Sequence, residues 1–198
     1  MNFLAHVYLS GSNIPLAVGN LIADRVKGKN IELLAPEIQE GVLLHRAIDT
    51  YTDQHPLVRE CVKKLFHYYR HYSRVIVDMY FDHFLAAHWN SFHPQDLETF
   101  SLSFYEALKN YTPQFPESIQ KLISALIKYN WFEQYKTVEG LGLILEQMEQ
   151  RTKFHSNLAA STEDLKQNYT YFESYFFEFM GELIAFTKTK TNHLLVVI

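Results

Sequence analysis

Two stretches of this sequence put ionisable side chains where a helix ought to be apolar. Residues 75–89 read VIVDMYFDHFLAAHW, hydrophobic on every side of a helix, which is the pattern of a buried one. Their polar groups include Asp78, Asp82, His83 and His88. A buried carboxylate without a partner costs several kcal/mol, and the short Asp side chain competes for helix backbone groups. A metal ion, a strong cationic partner or a substrate must offset both. Residues 40–53, EGVLLHRAIDTYTD, repeat the anomaly. His45 and Asp49 are four apart and share the face of Ile38, Val42 and Ile48, so they point inward. Asp24 closes an earlier apolar helix on the side of Leu21, and His6 lies between Ala5 and Val7. Six of the seven Asp and eight of the ten His fall in the first 96 positions, while Glu, the helix-friendly surface acid, prevails beyond. Carboxylates and imidazoles converging from several helices suit a site for Mn, Fe, Co or Zn.

The elements that must position these groups are helices. Ser12 or Asn13 can cap a helix that starts near Pro15 and stops at Gly28, and Pro36, Pro56, Pro94 and Pro116 suit the first turns of later ones. Segments 56–72 and 118–135 each carry apolar residues at three- and four-residue steps, and two further helices fit 138–153 and 163–187. Residues 3–9 read as a short strand or the lead-in to a helix, and the tail HLLVVI as a strand or a disordered end. The expectation is an all-α, single-domain bundle of seven or eight helices over residues 1–187, with 188–198 an unassigned tail.

Composition narrows the function. At 198 residues, 47% hydrophobic and 20% charged, the chain is long enough to bury about 70% of its unfolded surface as one domain. Seven Gly and six Pro are too few for a turn-rich β-sandwich, and one cysteine excludes a disulfide framework or a Cys-rich zinc module. A net charge of −4 gives no global attraction to nucleic acid. No apolar run reaches the roughly 18 residues of a membrane span, and MNFLAHVYLS lacks a signal peptide's basic region and cleavage site, so the expected compartment is the cytoplasm. There is no GxSxG, P-loop or GxGxxG, and Cys61 falls on an apolar helix face as core. Spread-out ligands without a nucleophile motif favour hydrolysis by metal-activated water. Asp53, in TDQHP, reads as a cap for the helix at Pro56, and His67 and His71 as solvated.

NFLAH at the start, GNLIAD ending at Asp24, LLHRAIDTYTDQHP from Leu43 to Pro56, VDMYFDHFLAAHW from Val77 to Trp89, and the segment from Gly140-Leu141 to Arg151 resemble the acyl carrier protein phosphodiesterase family in order and spacing. The resemblance covers about residues 1–187. It implies hydrolysis of the phosphodiester that links 4′-phosphopantetheine to a serine of holo acyl carrier protein, with a divalent metal, most often manganese. It also implies an HD-like helical fold, with the paired ligand motif in reverse order as Asp82-His83. Carried over residue by residue, it puts Asp24, His45, Asp82, His83 and, less firmly, His6 at the metal. Asp49 and Asp78 become outer groups or the general base.

Arg46, about 100° round the helix from His45, is expected either to hold phosphate or to pair with Asp49 or Asp53. An acidic carrier protein needs a local positive surface. Lys63, Lys64, His67, Arg70, His71 and Arg74 offer one, and Arg25, Lys27 and Lys29 a second. Two rival functions remain: an HD-like hydrolase of a small nucleotide or phosphoester, and a non-enzymatic helical binding module with a structural polar core.

Overall fold

The computed structural model describes residues 1–152 and 156–196. Among these the chain is all-α, with eleven α-helices, short 3₁₀ turns and no strand. The helices are α1 (Phe3–Leu9), α2 (Ile14–Ile22), α3 (Pro36–Gln54), α4 (Pro56–Tyr69), α5 (Ser73–Ala87), α6 (Leu97–Tyr111), α7 (Glu117–Lys128), α8 (Trp131–Gln134), α9 (Val138–Glu149), α10 (Ser161–Gln167) and α11 (Tyr169–Val196). The count exceeds seven or eight because two expected helices are divided. Asn130 adopts a left-handed φ of 45° and separates α7 from α8, and Asn168 separates α10 from α11. Residues 3–9 are helical, not extended. The first long helix stops at Ile22 rather than Gly28, passing into a 3₁₀ turn, Ala23–Arg25. Of the HLLVVI tail, residues 193–196 continue α11 as helix instead of strand, and 197–198 lie outside the described residues.

Helix α5 is the centre of the molecule. Eleven of its fifteen residues are buried, which matches an apolar pattern with no polar face. Helix α11 lies against it through aromatic pairs, Phe81 with Phe176 and Phe179, Phe84 with Phe176, and Tyr80 with Phe172. Cys61 is buried, as expected for core, and burial pushes its thiol up to about 12. No helix among the described residues is long and apolar enough to cross a membrane.

The closest seam joins α2 to α3. A Cβ on Gly19 would stand 2.0 Å from the Ile38 carbonyl oxygen, and one on Gly41 2.2 Å from that of Leu16. Only glycine lets the two backbones meet this way. The seam sets α2, which carries Asn20, directly against α3, which carries His45 and Asp49.

Asn13, not Ser12, caps α2: its side chain accepts from the Leu16 amide at 3.1 Å. Asn13→Ala is expected to lower stability by about 1 kcal/mol, read as a drop of about 2–4 °C in Tm in a thermal melt. Asp53 does not cap α4. The N-cap residue is His55, and the Asp53 carboxylate instead pairs with Arg74 at 2.7 Å.

A histidine–carboxylate centre between three helices

His6 on α1 and His45 on α3 stack face to face, with ring centroids 4.0 Å apart and planes 19° from parallel. One residue of α2, the fully buried Asn20, holds both. Its amide nitrogen donates to the His6 carbonyl at 2.8 Å and to Ser10 Oγ at 3.0 Å. That leaves its side-chain oxygen facing His6 Nδ1 at 2.7 Å, while its backbone carbonyl faces His45 Nδ1 at 2.8 Å. Both partners are acceptors, so both Nδ1 atoms carry hydrogen, and both Nε2 atoms are left to present a lone pair or a second proton.

The two Nε2 atoms converge on carboxylates. His6 Nε2 lies 3.3 Å from Asp49, and His45 Nε2 lies 3.0 Å from Asp49 and 3.4 Å from Asp24. Neither Nε2 is in line for a well-formed hydrogen bond, although both are buried. One ligand atom each from His6, His45 and Asp49 fall within 4.8 Å of one another. The imidazole side is dry, with His6 3% and His45 8% exposed; the carboxylate side is open, with Asp49 43% and Asp24 74% exposed.

The electrostatics follow from this layout. Burial opposes a charge on His45, but Asp24 and Asp49 prevail and hold its pKa up at about 9. Burial and the neighbouring His45 push His6 down to about 4, against the pull of Asp49. Burial would raise Asp49, yet contact with His45 and His6 takes it well below the usual carboxylate range, and contact with His45 lowers Asp24. In the protein alone, the cation that these carboxylates face is the proton on His45. Two oriented imidazole nitrogens and a carboxylate, with orphaned buried Nε2 atoms, also form a donor set that fits a divalent transition metal.

Of the expected ligands, His6, His45 and Asp24 are thus brought together, and Asp49 joins them more closely than an outer group would. Asp82 and His83 are occupied elsewhere. The Asp82 carboxylate accepts from the Asn2 amide at 3.0 Å and the Leu4 amide at 2.8 Å, so it caps the start of α1. Burial pushes that carboxyl up to about 7 in spite of the amino terminus and the two N–H groups. His83 lies 2.7 Å from the Tyr135 carbonyl through Nδ1 and 3.1 Å from the Tyr169 hydroxyl through Nε2. Asp78 takes the amino terminus of Met1 at 2.7 Å. Of the metal, cation or substrate expected to offset these acids, Asp78 has a cation, the amino group of Met1, and Asp82 has backbone amides instead. Arg46 is exposed and pairs with neither Asp49 nor Asp53 among the described residues. Asn20 carries no charge to mark it; its signals are an amide inside the apolar run IPLAVGNLI and its place in the GNLIAD block, of which only Asp24 is expected at the site. Lys63, Arg70 and Arg74 line a common groove, whereas Lys64 sits over the Tyr171 ring and Arg25 and Lys27 are exposed near the end of α2.

Fold and centre together define an all-α protein with a preorganised histidine–carboxylate centre at its surface. The family model described as acyl carrier protein phosphodiesterase matches residues 1–183. Curated relatives bearing that name are 30% identical in Serratia proteamaculans and 32% in Pectobacterium atrosepticum, each over 96% of this chain and 99% of the relative. One from Yersinia pestis is 33% identical over 90% of this chain and 93% of its own length. No solved structure matches. The chain belongs to the acyl carrier protein phosphodiesterase family, a family of phosphodiester hydrolases.

Proposed function

We propose that this protein hydrolyses the phosphodiester between 4′-phosphopantetheine and a serine of holo acyl carrier protein, in the cytoplasm and with a divalent metal, manganese first among the candidates. The observation that carries the reading is the pair of buried Nε2 atoms, both oriented by Asn20 and both facing Asp49. His6, His45 and Asp49 would hold the ion, with Asp24 beside them. When bound, it supplies Lewis acidity toward a phosphate oxygen and a water.

The chain's own residues do the rest. Asn20 keeps the two rings in one tautomer and orientation, which favours a ready-made centre over one assembled at each turnover. Buried walls on the imidazole side keep bulk water off the nitrogens, while the open side admits a bulky diester. Asp24, exposed and held ionised by His45, is placed to accept a proton from a water entering on that side. Arg46, exposed, one position from His45 and without an ion pair among the described residues, is free to grip a non-bridging phosphate oxygen.

The test is to incubate the protein with holo acyl carrier protein and manganese and to follow the carrier by mass spectrometry. Loss of the prosthetic group, abolished by chelator and restored by manganese, is expected. Turnover of a small phosphodiester with an intact carrier would instead favour a small-phosphoester hydrolase. No turnover of either, with no metal bound, would leave a binding module.

A further inference from the structure

A groove of about 450 Å³ runs along α4, and Asp78 of α5 is part of its lining. Its floor is apolar, made by Val58, Val62 and Phe66, and Phe66 is left 44% exposed. Arg59, Lys63, Arg70 and Arg74 rim it. The two acids in the lining are already engaged, Asp53 by Arg74 and Asp78 by the amino terminus. Among the described residues Arg59 and Arg70 have no carboxylate partner, and Lys63 meets Glu60 only at 4.0 Å. On a chain of net charge −4, this is a local positive surface around an exposed aromatic ring.

Arg70 is a second, separate sign. It ends α4 at φ 49°, a left-handed position that ordinarily goes to glycine at a helix C-terminus. Its guanidinium lies 5.9 Å over the Phe66 ring. The groove shares elements with the centre: its lining includes Asp53, four residues along α3 from Asp49, and Asp78, which holds the amino terminus that leads into α1 and His6.

We propose that this groove seats an acidic, amphipathic face of the protein substrate, with apolar side chains on Val58, Val62 and Phe66 and carboxylates on Arg59, Lys63 and Arg70. The proposal rests on the reading that the substrate is an acyl carrier protein, and it assigns the surface that delivers the phosphodiester to the centre. Arg59 and Phe66 enter as docking residues beside the basic ones that patterning suggested, and Lys64 leaves the set because it faces α11.

The experiment measures binding of fluorescently labelled apo acyl carrier protein to the whole protein by anisotropy, so that docking is read without the prosthetic group. Arg59→Glu/Lys63→Glu/Arg70→Glu is expected to raise Kd about tenfold or more. A control with the same change of charge, Lys109→Glu/Lys121→Glu/Lys128→Glu, is expected to change it less than about twofold, because exposed charges beyond about 8–10 Å are screened. A second variant, Arg70→Gly, removes the left-handed strain and the guanidinium together. It is expected to melt at a higher temperature yet bind more weakly, a combination that a purely structural role would not give. Unchanged binding in the triple variant, or equal weakening in the control, overturns the groove. So does Arg70→Gly binding like wild type. If these occur while wild type still strips holo carrier protein, the groove alone fails. If wild type neither binds nor cleaves the carrier, the substrate reading fails and the groove with it.

Discussion

His45→Ala is expected to lower phosphopantetheine release by more than about a hundredfold while the helical circular dichroism shows that the fold survives. The ring is buried at the edge of the open carboxylate side, and among the described residues it is one of two imidazoles whose Nε2 faces Asp49. Asn20→Ala touches no reacting atom but frees both rings, and is expected to fall by about 10- to 100-fold. Asp82→Ala should behave differently. It removes the acceptor for two amides at the start of α1, in a fully buried position, so its main loss is about 1–3 kcal/mol of stability per unsatisfied group. A His45→Ala protein at near wild-type rate would remove the histidine centre from the chemistry. An Asp82→Ala protein that stays fully stable but inactive would return Asp82 to the reacting groups.

Gly41→Ala is expected to cost about 3 kcal/mol or more, because the added methyl would overlap the Leu16 carbonyl and no flexible side chain is there to yield. Gly19→Ala meets the Ile38 carbonyl and should do the same. Equilibrium urea unfolding measures both. Gly181→Ala is the internal comparison. That glycine lies within α11 with nothing within 4 Å of an added Cβ, so the change should instead stabilise by about 0.5–1 kcal/mol. Activity in the two seam variants should fall with stability, since parting α2 from α3 draws Asn20 away from His45. Wild-type midpoints for both would mean that the seam has slack the coordinates exclude.

Much of this architecture is written in side-chain type and spacing. A helix apolar on every side proved to be the central α5, and the four-residue step from His45 to Asp49 brought both to one centre. His6 joins them for the same reason, as a polar group on an inward face, while Asp24 reaches the same centre from the exposed turn after α2. Asp78, Asp82 and His83 gave the same signal and led to a different outcome. Their partners are an amino terminus, two amides, a carbonyl and a tyrosine hydroxyl. Backbone groups have no letter of their own, so patterning registers the need for a partner without showing that the main chain supplies it. Asn20 escaped for the converse reason. An uncharged amide in an apolar helix looks like a satisfied core residue, and only the crossing of α1, α2 and α3 shows it serving two rings. The divisions at Asn130 and Asn168 were hidden because apolar periodicity runs on across a single kinked residue.

The glycine seam has a consequence for the order in which the molecule breathes. Backbone amides exchange with solvent through local openings, and segments in direct main-chain contact open last. Residues 16–22 and 38–49 should therefore be among the slowest to take up deuterium, together with α5. The four-residue α8 and the seven-residue α10, short and set off by asparagine breaks, should label early. The side chains of the histidine–carboxylate centre would then ride on the least yielding part of the protein. Substrate would have to approach a rigid centre from outside, without any folding-over of the helices that carry it.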